Sequence, residues 1–452
     1  MLQVKGNKIV DEKGTVVRLR GVCAGGWMNM ENFINGYPGD ERGTRAAMAK
    51  VLGKEKAGFF FKRFLYHFFT EEDVKFIKQA GANVVRLPVN YRHFENDMKP
   101  FEYLPSGFKR LDEAVKWCAK HGLYVILDLH AVQGWQSTDW HCDNSSRHSF
   151  FWEQLQFQDR FTALWEEFAR RYKGSNTIAG YNVMNEPASN TPNGRFSNVY
   201  TPDWANFNKV YRRVVKAIRR IDPGHIIFLE GDYYSQRFEK MEAPFAANLV
   251  YSSHNYTPTD LKSRSLNLKL QKKLFLAHEG TRFAKKYNVP LWVGEFGGQG
   301  AGALDDQLSV FEEYKAHWTV WTYKDFGTMG AVHMDPKSKY SKLLAPLMEA
   351  KRALKTEAFT SGYAVNKIMQ KLAGVIVKHI DKKIDFNANL DYLSQATLSG
   401  YTASLMQPYY AQLFKGKTNA EIDSILESFV LKNCKPHQGM MEALIKNWSK
   451  RP

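Results

Sequence analysis

The sequence predicts a (β/α)8 TIM barrel with a long first strand–helix connection and a C-terminal helical extension. Eight short apolar or β-branched runs alternate with stretches of helical period, the pattern of a barrel more than of a doubly wound sheet. Several runs, such as "YVILDLH" and "HIIFLEGD", are apolar almost throughout, as strands covered on both faces must be. The glycine-rich segment 294–302 lacks the G-x-G-x-x-G spacing of a dinucleotide-binding fold.

In chain order, residues 8–20 read as a hairpin turning at Glu12, Lys13 and Gly14. The candidate barrel strands are 19–23, 83–89, 124–130, 178–186, 225–232, 249–256, 290–296 and 318–325. Between them, "TEEDVKFIKQAGA" offers Thr70 as an N-cap, Asp73 three residues on, and Gly81 as a stop. "SGFKRLDEAVKWCAKHGL" and "DWANFNKVYRRVVKAIRRIDPG" carry apolar residues at three- and four-residue steps. Residues 24–69 form an unusually long first connection, a length that implies function or further helices. The expected division is a barrel over 1–355, hairpin included, and a helical extension over 356–452 packed on it. "AEIDSILESFVLKNC" is the clearest amphipathic piece of that tail. Its aromatics, Tyr392, Tyr401, Tyr409, Tyr410 and Trp448, suit a packed helical addition better than a separate β-domain.

At 452 residues, 44% hydrophobic and 14% aromatic, the chain can bury a large core. The net charge is +17, but residues 351–452 hold 15 Lys and Arg against 8 Asp and Glu, so under half the excess lies there. The rest is diffuse, with no basic run of nucleic-acid type, and no nucleic-acid partner is expected. No apolar run approaches the roughly 20 residues of a membrane span, so no transmembrane segment is expected. The opening "MLQVKGNKIVDEKG" has no apolar leader, so the expectation is a cytoplasmic location. Cys23, Cys118, Cys142 and Cys434 are scattered, which suggests neither zinc nor a disulfide framework. The sequence carries no signature of oligomeric state.

In such a barrel the strand C-termini form the active face. The polar residues there are Arg86, Asp128, His130, Asn185, Glu186, Glu230, Asp232, His254, Tyr256, Glu295, Trp321 and Asp325. Glu186 in "YNVMNEP" and Glu295 in "LWVGEFGG" close the fourth and seventh runs, so both can flank one bound group. Glycosidic cleavage needs such a pair: one carboxyl protonates the leaving oxygen while the other attacks or activates water. A separation of about 5–5.5 Å implies retention of configuration, and about 6.5–9.5 Å implies inversion.

"NVVRLPV", "LDLHA", "YNVMNEP", "HNY", "VGEFG" and "WTYKD", over roughly residues 15–350, resemble glycoside hydrolase family 5 of clan A in order and placement. The resemblance implies Glu186 as acid/base and Glu295 as nucleophile, with Asn185 bonding the sugar 2-hydroxyl. It implies Arg86 and Tyr256 as partners of the nucleophile, His130 and His254 along the sugar subsite, and Trp321 as its stacking platform. It implies retaining hydrolysis of a β-linked carbohydrate with no cofactor and no metal. Elementary electrostatics agrees: Arg86 favours an ionised Glu295, whose charge in turn favours a protonated Glu186 until the sugar ester forms.

Outside that shared set, Trp135, Trp140, His141, Asp143 and Asn144 in "HAVQGWQSTDWHCDN" offer stacking faces and hydroxyl partners for sugars. Trp27, with Asn29, Glu31 and Asn32, lies on the first connection, where reaching the site and ordinary loop packing are both open. Lys324 and Asp325 are candidates for substrate choice, and Asp128 reads as a bond within the barrel. His141, Cys142, Asp143 and His148 lack regular metal-ligand spacing. The long first and third loops suggest a pocket, hence exo-action on a short β-glucoside or β-mannoside. The alternatives are an endo-acting glucanase or mannanase and a glycolipid-cleaving glycosidase. More distant are a metal-dependent enolase-like barrel, with Asp128, Glu186 and Glu230 as ligands, and an inactive carbohydrate-binding barrel.

Overall fold

Eight parallel strands close into a ring: β1 (Arg20–Cys23), β2 (Val84–Asn90), β3 (Tyr124–Ala131), β4 (Ile178–Asn182), β5 (Ile226–Glu230), β6 (Leu249–His254), β7 (Leu291–Glu295) and β8 (His317–Val320). Each pairs with its neighbours in chain order, and β8 returns to β1 through Trp318 opposite Arg20. The computed structural model describes residues 1–146, 148–190, 201–260, 262–298, 300–354, 356–357, 361–362, 374–375, 378–379 and 403–450. Helices cover the outer face, so the strands are buried on both sides, which explains their nearly unbroken apolar runs. At Gly21 a Cβ would meet the Val84 carbonyl oxygen at 1.8 Å, so glycine is what lets β1 lie against β2 there.

The interior floor is packed by Leu19, Ile126, Ile226, Phe228, Val250 and Trp292, and closed by Leu2 and Ile9. Ile9 belongs to, and Leu2 directly precedes, an N-terminal hairpin, Gln3–Lys5 against Lys8–Val10, which starts earlier than the predicted one. The predicted turn is also present: Val10 bridges Val16, and Asp11 Oδ1 accepts the N–H groups of Lys13 and Thr15. The first connection carries helices of its own, Asn32–Asn35, Glu41–Leu52 and Lys54–Phe68. The helix Glu71–Gln79 opens on the predicted cap, with Asp73 Oδ2 accepting from the Thr70 N–H and hydroxyl at 2.8 Å each.

Five strands end earlier than the apolar runs implied, β7 by the single residue Phe296. β4 stops at Asn182, not Glu186, while β5, β6 and β8 stop at Glu230, His254 and Val320. Past Asn182 the backbone changes partner from residue to residue: Val183 N–H donates to Phe228 on one side and Asn185 N–H to Leu129 on the other. The chain therefore flares at the rim, and Glu186 sits in a turn with φ 43°.

Of the C-terminal segment, helices Ala403–Gln412, Asn419–Leu426 and Gln438–Trp448 pack on Glu41–Leu52, Lys54–Phe68 and Ala301–Glu313 respectively. Cys434–Pro436 also joins Val332–Met334 and Lys324–Asp325 in a three-stranded sheet. Tyr392 and Tyr401 lie outside the described residues. All four cysteines are free thiols. Among the described residues no helix is long and apolar enough to cross a membrane.

Candidate active site

Arg86, in the middle of β2, is fully buried where the strands converge, and its guanidinium organises the mouth of the barrel. Nη1 donates to Glu295 Oε1 at 2.6 Å and Nη2 to Asn185 Oδ1 at 2.7 Å and Asn182 Oδ1 at 2.9 Å. Nη2 also lies 3.0 Å from Asp128 and 3.2 Å from Glu230. Burial alone would lower its pKa, but Asp128, Glu295 and Glu230 overcome that and hold it well above the ordinary arginine value. A buried cation with three carboxylates is costly unless each group is paired, and here each is.

Glu295 ends β7 and is nearly enclosed. Besides Arg86, it accepts the Tyr256 hydroxyl on Oε2 at 3.2 Å, and His254 Nδ1 stands 3.5 Å from the same oxygen. Burial would raise its pKa, yet His254, Arg86 and His130 together hold it below the usual carboxylate range. Glu186 faces it from the rim. Its Oε1 accepts from His254 Nδ1 at 2.6 Å, and its Oε2 lies 3.4 Å from His141 Nε2. A donor oxygen from each of Glu186 and Glu295, and one nitrogen of His254, all lie within 4.8 Å of one another. One oxygen of each acid can therefore approach the same anomeric carbon, the close placement a retaining pair uses.

The imidazoles are held by acids. His254 is fully buried; burial works against its charge, but Glu230, Glu295 and Glu186 raise its pKa well above the usual value. His130 Nδ1 bonds Asp128 Oδ2 at 2.8 Å, and its Nε2 lies 3.2 Å from Asn185 Nδ2 and 3.5 Å from Glu31 Oε1. Against the effect of burial, Asp128 and Glu31 push its pKa up to about 10. Trp321 stacks on His130 with centroids 5.2 Å apart at 9°, and its ring comes so near Gly25 that a Cβ there would meet it at 2.7 Å. The ring is thus packed into the wall, 2% exposed.

The chain matches the family model described as cellulase (glycosyl hydrolase family 5) over residues 50–327. It is 36% identical to a protein named beta-xylosidase from Phanerodontia chrysosporium, over 99% of this chain and 98% of that protein. The chain belongs to glycoside hydrolase family 5. It is an O-glycoside hydrolase of the retaining β-glycosidase type. Endoglucanase C of Acetivibrio thermocellus is 27% identical to this family 5 chain, over 57% of it and 84% of that protein. A probable glucan 1,3-beta-glucosidase A of Aspergillus niger is 30% identical, over 66% of this chain and 67% of that protein.

The remaining candidates in this family 5 protein divide by where their loops turn. Glu31 reaches the site beside His130, as His141 does beside Glu186. Trp27 does not: it is buried against Phe69, with its indole N–H donating to the Leu65 carbonyl. Lys324 and Asp325 also leave the mouth. Lys324 Nζ pairs with Asp73 at 2.6 Å in full burial and donates to the carbonyls of Phe68 and Phe429. Asp325 accepts the Met329 N–H at 2.8 Å, and burial pushes its pKa up to about 6. Both are scaffold for the last loop, because the chain past β8 runs outward into the small sheet.

In the third loop Asp143 is an internal tie, accepting from Arg42 N–H at 2.6 Å, Arg92 Nε at 2.7 Å and Asn90 Nδ2 at 3.0 Å. Asn144 holds the loop's own carbonyls at Ser137 and His148. Trp135 is buried in a local cluster with Ala131 and Cys142, beneath the Arg42 guanidinium. Trp140 packs edge-on to His141 and is partly exposed.

Sequence reasoning missed Asn182 as an Arg86 partner and weighed Glu230 only as a metal ligand. The strand-end acid in "HIIFLE" was the available signal for Glu230. Arg86 fills the space between Asp128 and Glu230 that an enolase-like metal would need. Among the described residues, Glu186, His254 and Glu295 are the one group with metal-ligand spacing. A divalent ion there would face the Arg86 guanidinium across Glu295 and would have to displace the His254–Glu186 bond, so the donor set fits hydrogen bonding better than metal.

Proposed function

We propose that the protein releases a single gluco-configured sugar, xylose or glucose, from the end of a short β-linked substrate, with Glu186 as acid/base and Glu295 as nucleophile. The observation that carries this reading is the approach of one Glu186 oxygen and one Glu295 oxygen to within 4.8 Å, with Arg86 bonded to Glu295 and His254 standing between the two acids. Glu295, kept ionised by Arg86, attacks the anomeric carbon while Glu186 gives its proton to the departing oxygen, leaving a glycosyl ester. Glu186, now a carboxylate, takes a proton from water; the resulting hydroxide attacks the same carbon and Glu295 leaves as a carboxylate. Asn185, held by Arg86, supplies the amide for the 2-hydroxyl, and Tyr256 orients Glu295.

Exo-action is supported by the loops around His130 and His141. Asn29 Nδ2 donates to the His141 carbonyl at 3.0 Å, and Asp143 accepts the Arg42 N–H, so the first and third loops are stitched together beside the sugar subsite. An extended polymer would have to pass through that seam. The sugar follows from the names of two relatives, a beta-xylosidase and a glucan 1,3-beta-glucosidase. Xylose and glucose share the configuration of the ring carbons that carry their hydroxyls, and glucose adds a hydroxymethyl group on the carbon next to the ring oxygen.

The test is a panel of aryl β-xyloside, β-glucoside and β-mannoside plus a β-linked tetrasaccharide, with Glu295→Ala as the inactive control. Expected are turnover of the xyloside or glucoside, monosaccharide as the sole early product, and a β-configured sugar as the first product seen by NMR. Mid-chain fragments from the tetrasaccharide would shift the reading to an endoglucanase, and an α-configured first product would overturn the assigned roles.

A further inference from the structure

We infer that Glu230, a carboxylate outside the catalytic pair, is the positioning residue that holds Glu186 in its proton-donating pose. The inference rests on the acid/base role proposed for Glu186. Glu230 ends β5 and is fully buried. Its Oε1 lies 3.2 Å from Arg86 Nη2, and its Oε2 accepts both the Glu186 backbone N–H and the Ser235 hydroxyl at 2.8 Å. His254 Nε2 stands 3.4 Å from that same oxygen, while the other face of the imidazole bonds Glu186 Oε1 at 2.6 Å. One carboxylate thus governs Glu186 at both ends, directly at the backbone and through His254 at the carboxyl.

The need for such a grip is local. Glu186 has φ 43°, a conformation that side chains bearing a Cβ rarely adopt, so its turn must be held by its surroundings. The chain after β5 is shaped to do so. Tyr233, Tyr234 and Ser235 have φ values of 51°, 58° and 63°, a left-handed run that returns the Ser235 hydroxyl beneath Glu230. In the same turn Tyr234 N–H donates to the Pro187 carbonyl at 3.1 Å, and Asp232 accepts the Ser189 N–H at 2.9 Å. The segment 186–189 is therefore strapped to the end of β5 at three points, two of them carboxylates, and Glu230 is the one that grips Glu186 itself and is flanked by Arg86 and His254.

The experiment compares kcat/KM of wild type and Glu230→Gln on aryl β-glycosides of two kinds. Phenyl glycosides need a proton on the departing oxygen, whereas 2,4-dinitrophenyl glycosides do not. A displaced acid costs about 100-fold on the phenyl substrate and less than about 5-fold on the dinitrophenyl one. An equal loss on both, as a merely structural defect or a damaged nucleophile would give, overturns the inference, and so does no loss. If Glu230→Gln is not recovered folded, as judged by circular dichroism, Ser235→Ala decides. That change keeps the charge but frees Oε2 on one side; a loss confined to the phenyl substrate supports the inference, and an unchanged ratio between substrates overturns it. Wild type inactive on every aryl β-glycoside would instead count against the roles given to Glu186 and Glu295.

Discussion

His130 shows how charge is kept in a buried site. Burial opposes its protonation, yet Asp128 at 2.8 Å and Glu31 push its pKa up to about 10. A group whose pKa rises on folding contributes stability that is whole below its unfolded value, about 6.5 for histidine, and is lost as pH climbs through the folded one. His254 shifts in the same direction. Glu230 acts at the other end: burial opposes its charge, but His254 and Arg86 lower it to about 2, so its contribution holds above ~4.3 and fades as pH falls toward 2. The melting temperature is therefore expected to fall from pH 7 to pH 10, and His130→Asn is expected to flatten that decline. An alkaline slope identical in the variant would contradict the assignment. Arg86, Glu186 and Glu295 were legible in the sequence because each interrupts or ends an apolar run, where an unpaired charge would be too costly to keep without a purpose. Glu31 was less so, since a loop sequence does not say which way its acid points.

Among elements, the end of β8 is where position and destination part. "WTYKD" continues the eighth apolar run, which placed Lys324 and Asp325 at the active face. The ladder instead ends at Val320, and residues 324–325 pair with 332–334 in the outer sheet. Lys324 is buried on Asp73, which also accepts the Tyr323 hydroxyl at 2.9 Å and caps its own helix. Lys324→Met would leave Asp73 charged, buried and short of its cation, a change that costs about 3–5 kcal/mol. Urea unfolding should register that loss while KM for the aryl glycoside stays at the wild-type value. A raised KM with unchanged stability would return Lys324 to the substrate. The same reasoning separates Glu186 from Glu295: both were read as strand ends, but only Glu295 is one, because its backbone stays in the ladder while that of Glu186 flares past it.

Across the whole molecule, the last helices are part of the barrel's exterior. Trp448 stacks on Trp318 of β8 at 6.2 Å and 14°, and Arg20 of β1 donates to the Lys450 carbonyl at 2.7 Å. Phe429 packs edge-on to Phe64 at 5.2 Å, and Asp423 pairs with Arg63. A chain ending at residue 402 would expose these aromatic faces and the Lys324–Asp73 pair. It is expected to be recovered insoluble or to melt about 10 °C or more below the full chain. A truncated protein that is soluble and melts at the full-length temperature would show the helices to be dispensable.

The sequence alone determined the barrel and its reaction class, since apolar period and strand-end acids are local patterns set by burial on two faces. It also placed Arg86, Asn185 and the two glutamates, because buried polar groups among apolar neighbours need partners of opposite charge. Only the tertiary structure decided which loop residues turn into the mouth of the barrel. Asp143 turns to Arg42 and Arg92, Lys324 to Asp73, and Trp27 to Phe69, while Glu31 and His141 turn inward. The direction of a polar side chain on a long connection is set by partners far along the chain, and those meet only once the ring of strands has closed.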